Sequence, residues 1–270
     1  MNRRQSLGGG ARGFIPLKGR NVGVETPTYK GITSEEVVGW AFCPTKSKMA
    51  FTLAEVLITL GIIGIVAALT LPTIIRNYNV KITETRLKKF YSTMNQAVTR
   101  LKADYGDTEN WTYWISNVLD DEGQLTEQSD LVADNFRNYF GKYIDFVSEK
   151  EVTNYGKKMT LFYFKDGSAI MTRWYNNYDY EYFPRDAEKC LTKLSNERRG
   201  VCSFAFQFRR GNNRQVNDFV PYAEAFDSSR PIDNDLIYED CRSGTGQYCG
   251  LIIMLNNWTV PKDYPRKLAY

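Results

Sequence analysis

The sequence predicts an α+β protein: one long N-terminal helix, membrane-spanning in its first half, packed on a small antiparallel sheet. Three observations carry this. Residues 51–75 form an unbroken apolar run, FTLAEVLITLGIIGIVAALTLPTII, long enough to cross a bilayer as a helix. An apolar stripe at three- and four-residue spacing continues from it to about Tyr105. Beyond that, two β-rich runs flank Asp166-Gly167, a dipeptide that favours a tight hairpin turn.

Three domains follow from this reading. Residues 1–50 are rich in Gly, Arg and Lys and have no helical or strand period. They read as a leader peptide, or as a start assigned upstream of the true one. They carry eight basic and three acidic side chains, which leaves the rest of the chain at −1 out of a total of +4. The basicity therefore belongs to the head of the chain, and nucleic acid is not a predicted partner. Residues 51–105 form the long helix, and 106–270 the globular head. The absence of histidine excludes Ser-His-Asp triads, Cys-His dyads and His-containing zinc sites.

In the apolar run the only polar side chains are Thr52, Glu55, Thr59, Thr70 and Thr73. A threonine hydroxyl can bond back to the preceding turn, so these are tolerated in lipid. Lys46 and Lys48 precede the run and place the N-terminus in the cytoplasm, with everything after Arg76 exported. Three plainer readings compete. A cleaved signal peptide has a shorter apolar core, although Val66-Ala67-Ala68 resembles a weak cleavage site. A plain single-span anchor explains the length but not Glu55, and a buried core helix is rarely this long.

Glu55 is the decisive residue. A carboxylate at the centre of a membrane helix costs about 3 kcal/mol to insert and usually has a partner. The sequence offers no cation to pair with it inside the chain. Cleavage after Ala50 would free the α-amino group of Phe51 one helical turn away. The same amine on a neighbouring copy would neutralise the acid and set the axial register between subunits.

The stretch from Lys46 to Arg76 resembles the N-terminal segment of type IV prepilins and type II secretion pseudopilins. Those carry a basic leader, a small residue before the cleaved bond, a Phe that becomes the N-methylated first residue, and a Glu at the fifth. Ala50, Phe51 and Glu55 match, with Ala standing where Gly is usual. Gly64 and Pro72 fall where pilins carry a helix-loosening Gly and Pro. The resemblance covers about a tenth of the chain. It implies cleavage by a prepilin peptidase, methylation at Phe51, and a single pass through a bacterial inner membrane with a periplasmic head. It implies as partners the lipid bilayer, other pilin-like subunits and an inner-membrane assembly platform. Gly61, Gly64 and Ala68 allow close helix packing, and Pro72 should kink the helix. In such a filament these small residues would face neighbouring subunits.

The stripe Leu87, Phe90, Tyr91, Met94, Val98 and Leu101 should pack the second half of the helix on a core, with Gly106 ending it. WTYWISNVLD and SDLVADNFRNYFGKYI read as short amphipathic helices in a loop-rich connection over 107–158. About four strands are expected: two in MTLFYFKDGSAIMTRW, then VCSFAFQF (201–208) and GLIIMLNNWTV (250–260). The tyrosines of NNYDYEYF (176–183) read either as a binding surface or as a loop packed by its own aromatics.

Cys190, Cys202, Cys241 and Cys249 allow three disulfide connectivities. The two local pairs, Cys190–Cys202 and Cys241–Cys249, are favoured because short loops close at low entropic cost. Cys43 is left over in the leader. Many pseudopilins bind calcium near their C-terminal strands, and QFRRGNNRQVND is the nearest stretch. Arg209, Arg210 and Arg214 stand there where oxygen ligands would be needed, so no metal and no cofactor are expected. Asp233, Asp235, Glu239 and Asp240 read as a solvated acidic loop. The ending WTVPKDYPRKL is similar to the ends of some pilin-like secretion proteins. No catalytic constellation emerges. The expected function is that of a structural, non-enzymatic subunit of a pseudopilus or pilus; the alternative is an ordinary single-span protein with an exported ligand- or partner-binding domain.

Overall fold

Helix α1 (Leu53–Tyr105) begins with a capping box and runs unbroken through Pro72. A computed structural model describes residues 51–115, 117–208, 218–223 and 232–269. Ala50, Lys46, Lys48 and Cys43, with Arg209, Arg210 and Arg214, lie outside the described residues. Gly106 ends the helix at φ 74°, a conformation that only glycine adopts freely, and its N–H closes on Lys102 O at 3.0 Å. The first buried residue of α1 is Thr83, and from there Leu87, Phe90, Met94, Ala97, Val98 and Leu101 line the core. Ala97 takes a place on this stripe, whereas Tyr91 sits at its margin, half-buried against Trp258 at 4.9 Å.

The head contains a six-stranded antiparallel sheet in sequential order: β1 (Phe146–Asn154), β2 (Lys157–Phe164), β3 (Ala169–Met171), β4 (Asp179–Phe183), β5 (Phe204–Phe208) and β6 (Phe219–Pro221). The hairpin around Asp166-Gly167 and the strand in 201–208 lie where the sequence places them. β1 falls in the segment read as helices and loops. Its strand–strand turn, Tyr155-Gly156, has both residues at positive φ between the pair Asn154 and Lys157, the geometry of a two-residue type I′ loop. Glu149, Lys150 and Glu151 are exposed on this edge strand, a pattern that discourages pairing with other chains.

Period-two alternation gives the sheet two different faces. Phe162, Ile170, Tyr180, Tyr182, Phe204, Phe206 and Phe208 pack towards α1 in one large cluster. Phe90 is its pivot: it stacks on Tyr182 at 3.9 Å and meets Phe206 and Phe219 edge-on at 4.8 and 5.6 Å. The other face carries Met159, Leu161, Met171 and Phe183 under a cover made by α3 (Ala187–Leu191) and by Cys202. The short helix α4 (Ser195–Arg198) completes the connection to β5.

Two further expectations change. WTYWISNVLD is not a helix; a single 3-10 turn, Thr108–Asn110, precedes turns that the aromatics fasten. The indole N–H groups of Trp111 and Trp114 donate to Gly106 O and Thr108 O at 3.0 and 2.6 Å, and Tyr113 is buried. Helix α2 (Ser129–Tyr139) does form in SDLVADNFRNYFGKYI. The second change is at 250–260, which holds helix α6 (Cys249–Leu255) and a turn instead of a strand. A short apolar run is equally compatible with a buried strand or a buried helix. Here a disulfide ties it to α5 (Asn234–Ser243), and β6 takes the sheet position beside β5.

Candidate functional site

Thr52 is the N-cap of α1, in an extended conformation with φ −75° and ψ 149°. Its hydroxyl accepts from Glu55 N–H at 3.2 Å. In return Glu55 Oε2 accepts from Thr52 N–H at 2.8 Å and from the Thr52 hydroxyl at 2.9 Å. This is a reciprocal capping box. Glu55 therefore has local hydrogen-bond donors in Thr52, a neutral partner that a search for a pairing cation does not reveal. Hydrogen bonds satisfy one carboxylate oxygen but do not cancel the charge. Among the described residues no cation pairs with Glu55.

Phe51 stands exposed just before the cap. The apolar run that follows is not buried by the other described residues. It is one helix long and apolar enough to cross a membrane. Thr59 and Thr70 hydroxyls donate to Val56 O and Val66 O, each at 2.9 Å, as expected of threonines in a solvent that cannot bond them. At Gly61 and Gly64 a Cβ would meet nothing within 4 Å. Ala68 is exposed. The small-residue positions are therefore open, and any close packing there needs a second body. Pro72 lies inside the helix and leaves Ala68 O without its usual N–H partner, yet the helix continues past it.

The second half of α1 is bound to the head by polar contacts as well as by its stripe. Asn95 offers its side-chain NH₂ to Phe219 O and its carbonyl to Phe219 N–H, both at 2.8 Å, and so ties α1 to β6. Arg86 donates to Pro184 O and Asp166 O, and Lys89 pairs with Asp166 at 2.8 Å. Glu84 accepts the Val260 N–H at 3.0 Å, which docks the C-terminal segment.

In the head, both disulfides are local: Cys190 joins Cys202, and Cys241 joins Cys249. The tyrosines of NNYDYEYF divide between roles. Tyr180 and Tyr182 are core residues of β4, whereas Tyr178 donates to Asn117 Oδ1 at the surface at 3.1 Å. The Tyr180 and Tyr113 hydroxyls meet in the interior, where burial pushes both phenols up and keeps them neutral. The residues read as an acidic loop mostly sit on α5 and its flanks. Asp233 caps that helix by accepting from Asp235 and Leu236 N–H. Asp240 accepts from the Thr245 and Tyr248 N–H groups, and Glu239 pairs with Arg242 at 3.3 Å.

Nothing in the residue pattern announces the network on the second sheet face. Glu181 is fully buried in β4 and accepts from Arg198 Nε at 2.7 Å, Arg198 Nη2 at 3.0 Å and the Ser203 hydroxyl at 2.6 Å. Burial works to raise its carboxyl, but the Arg198 bonds and the charges of Arg199, Arg198 and Arg173 outweigh that and hold it at about 2. Arg198 and Arg199 lie inside the loop that the Cys190–Cys202 bond closes, and Ser203 directly follows it, so the network and the disulfide hold the same cover in place.

No curated protein matches the chain, and no solved structure matches it. A family profile does match, over residues 73–268, well beyond half of the chain. The match starts directly after Pro72 and takes in the head and the embedded half of α1. By this match the chain belongs to the family of unknown function DUF6613.

Proposed function

We propose that the chain is a prepilin-like structural subunit of a type II secretion pseudopilus or a type IV pilus. A prepilin peptidase would cleave after Ala50, and Phe51 would become the methylated first residue. The helix 51–75 would hold the subunit in the inner membrane, with the head outside. Assembly would then proceed through contacts of that helix with other pilin-like subunits and with the inner-membrane platform. The observation that carries this is Glu55: a carboxylate at the fifth position from Phe51, on a helix whose small-residue positions are open and with no cation against it among the described residues. The two head disulfides support an exported head.

Mass spectrometry of the mature N-terminus tests the proposal. An N-methylated Phe51 is expected. An intact leader overturns it, as does a start at Leu69.

One observation favours a second reading, an ordinary single-span anchor carrying an exported binding domain. The capping box gives Glu55 a local role in starting the helix, and such a role needs no second copy. Replacing Glu55 with Gln separates the two readings, because glutamine can complete a capping box but carries no charge.

A further inference from the structure

The head begins almost where the apolar run ends. Ile75 closes the run, and Arg185 already reaches α1 at Asn79, its Nη1 donating to Asn79 Oδ1 at 2.5 Å. Four residues of helix rise about 6 Å. One headgroup layer is about 5–8 Å deep. The base of the head therefore lies at the level of lipid phosphates, with no linker to lift it clear.

The groups at this level are basic and amphipathic. Arg76 and Tyr78 are exposed, and the Lys81 side chain is 79% exposed. From Arg76 to Lys89 the helix carries five basic residues and one acid, Glu84. That acid is buried; it accepts Val260 N–H and pairs with Lys81 at 3.4 Å, while the Lys81 side chain stays largely exposed. Arg86 and Lys89 are used in docking the head. Arg76 and Lys81 have no such task. Membrane topology does not call for them either. They stand on the exported side, and within fifteen residues of the run that side has five basic residues against two on the leader side. A long exported domain escapes the positive-inside rule, so these charges are tolerated there but not explained by it. Beside Arg185 the exposed Asp186, Glu188 and Lys189 leave that segment neutral, and Glu188 is paired with Lys150, so the positive balance comes from Arg76 and Lys81.

We propose that Arg76, Lys81 and Arg185, with Tyr78 between them, form a basic collar that docks the base of the head onto the anionic phosphate layer of the membrane. This rests on the membrane reading of residues 51–75. Tyr78 takes the place of an interfacial aromatic, its ring at headgroup depth and its hydroxyl towards water. The collar holds the head upright against the lipid before the subunit is drawn out.

The test uses the full chain in vesicles of phosphatidylcholine alone, or with a third of it replaced by phosphatidylglycerol. The readouts are flotation with the vesicles and the enrichment of phosphatidylglycerol among lipids that co-purify with the protein. Wild type should float in both and enrich phosphatidylglycerol. R76Q/K81Q, which alters only exposed side chains, should float equally and lose enrichment by about fivefold for each contacting charge removed. R185Q should show a smaller loss, and salt should lower enrichment but not flotation. Flotation with equal enrichment in wild type and R76Q/K81Q overturns the collar and leaves the membrane reading standing. A chain that floats with neither vesicle overturns both. If R76Q/K81Q instead weakens self-association equally in the two lipids, the charges serve a second copy of the chain and the collar is refuted.

Discussion

Replacing Glu55 with Gln removes a charge while keeping a helix cap. Glu55 Oε2 accepts from the Thr52 N–H and hydroxyl at 2.8 and 2.9 Å. A glutamine carbonyl can accept from the same donors, so the helix start should survive with little change. What is lost is any pairing with the α-amino group of Phe51 on a neighbouring copy. Removing one member of a desolvated charge pair costs about 2–5 kcal/mol. Even the lower figure is about 30-fold in a single association step. The control is Thr52→Val, which removes the cap but keeps the acid. A lost cap costs about 1 kcal/mol, roughly fivefold, and it does so on either reading. The assay is capture of a variant copy by a differently tagged wild-type copy in the same membranes. The register reading expects E55Q to be captured at least about 30-fold less well, and T52V to lose far less. Capture of E55Q at the wild-type level would mean that the acid only caps the helix.

Two further predictions concern the head. Glu181 has a folded-state value of about 2, below the ordinary unfolded value of about 4.3. Its contribution is therefore fully present above about pH 4.3 and is lost as pH falls towards 2; acid unfolding followed by tryptophan fluorescence should show a decline of about 3 kcal/mol in that window, absent in E181Q. E181Q itself should be destabilised by about 3–5 kcal/mol at neutral pH, because Arg198 is left buried without its charge partner. The disulfides close sequence separations of 12 and 8 residues. Loop-closure entropy gives about 3 and about 2.5 kcal/mol for them, so C190A/C202A should lower the thermal midpoint slightly more than C241A/C249A.

The sequence made legible those elements whose cause is local. The apolar run and the stripe of α1 depend only on spacing along one helix. The β2–β3 hairpin announces itself through Asp166-Gly167, and β5 through its aromatic alternation. The capping box was equally local: Thr52 and Glu55 stand three apart, and their reciprocal bonds follow from that spacing. The remainder depended on distant residues. β4 is buried on both faces, and its Asp179 and Glu181 look like loop residues until Arg198 arrives from the covering segment to meet Glu181. β1 is an exposed edge whose charges hide its alternation. Helix α6 is an apolar run too short to declare its period, and the bond from Cys241 to Cys249 decides its place.

The position of the family match sharpens how the two halves of α1 relate. It begins at residue 73, whereas burial of α1 begins at Thr83. In this chain the matched residues comprise a folding unit: a sheet, its covers, and the helix segment that fills one face. The apolar run lies almost wholly outside that unit and gains nothing from it. From Phe51 to Tyr78 the other described residues bury no side chain of the helix, and from Asn79 onward the head begins to cover it. Yet the two halves are one continuous helix, with Phe90 set into the aromatic core and Asn95 bonded to both backbone groups of Phe219. The apolar run and the core of the head are therefore joined by unbroken helix, with Pro72 inside it. On the reading we propose, a subunit drawn from a membrane by its own helix would use that continuity to carry its folded head with it.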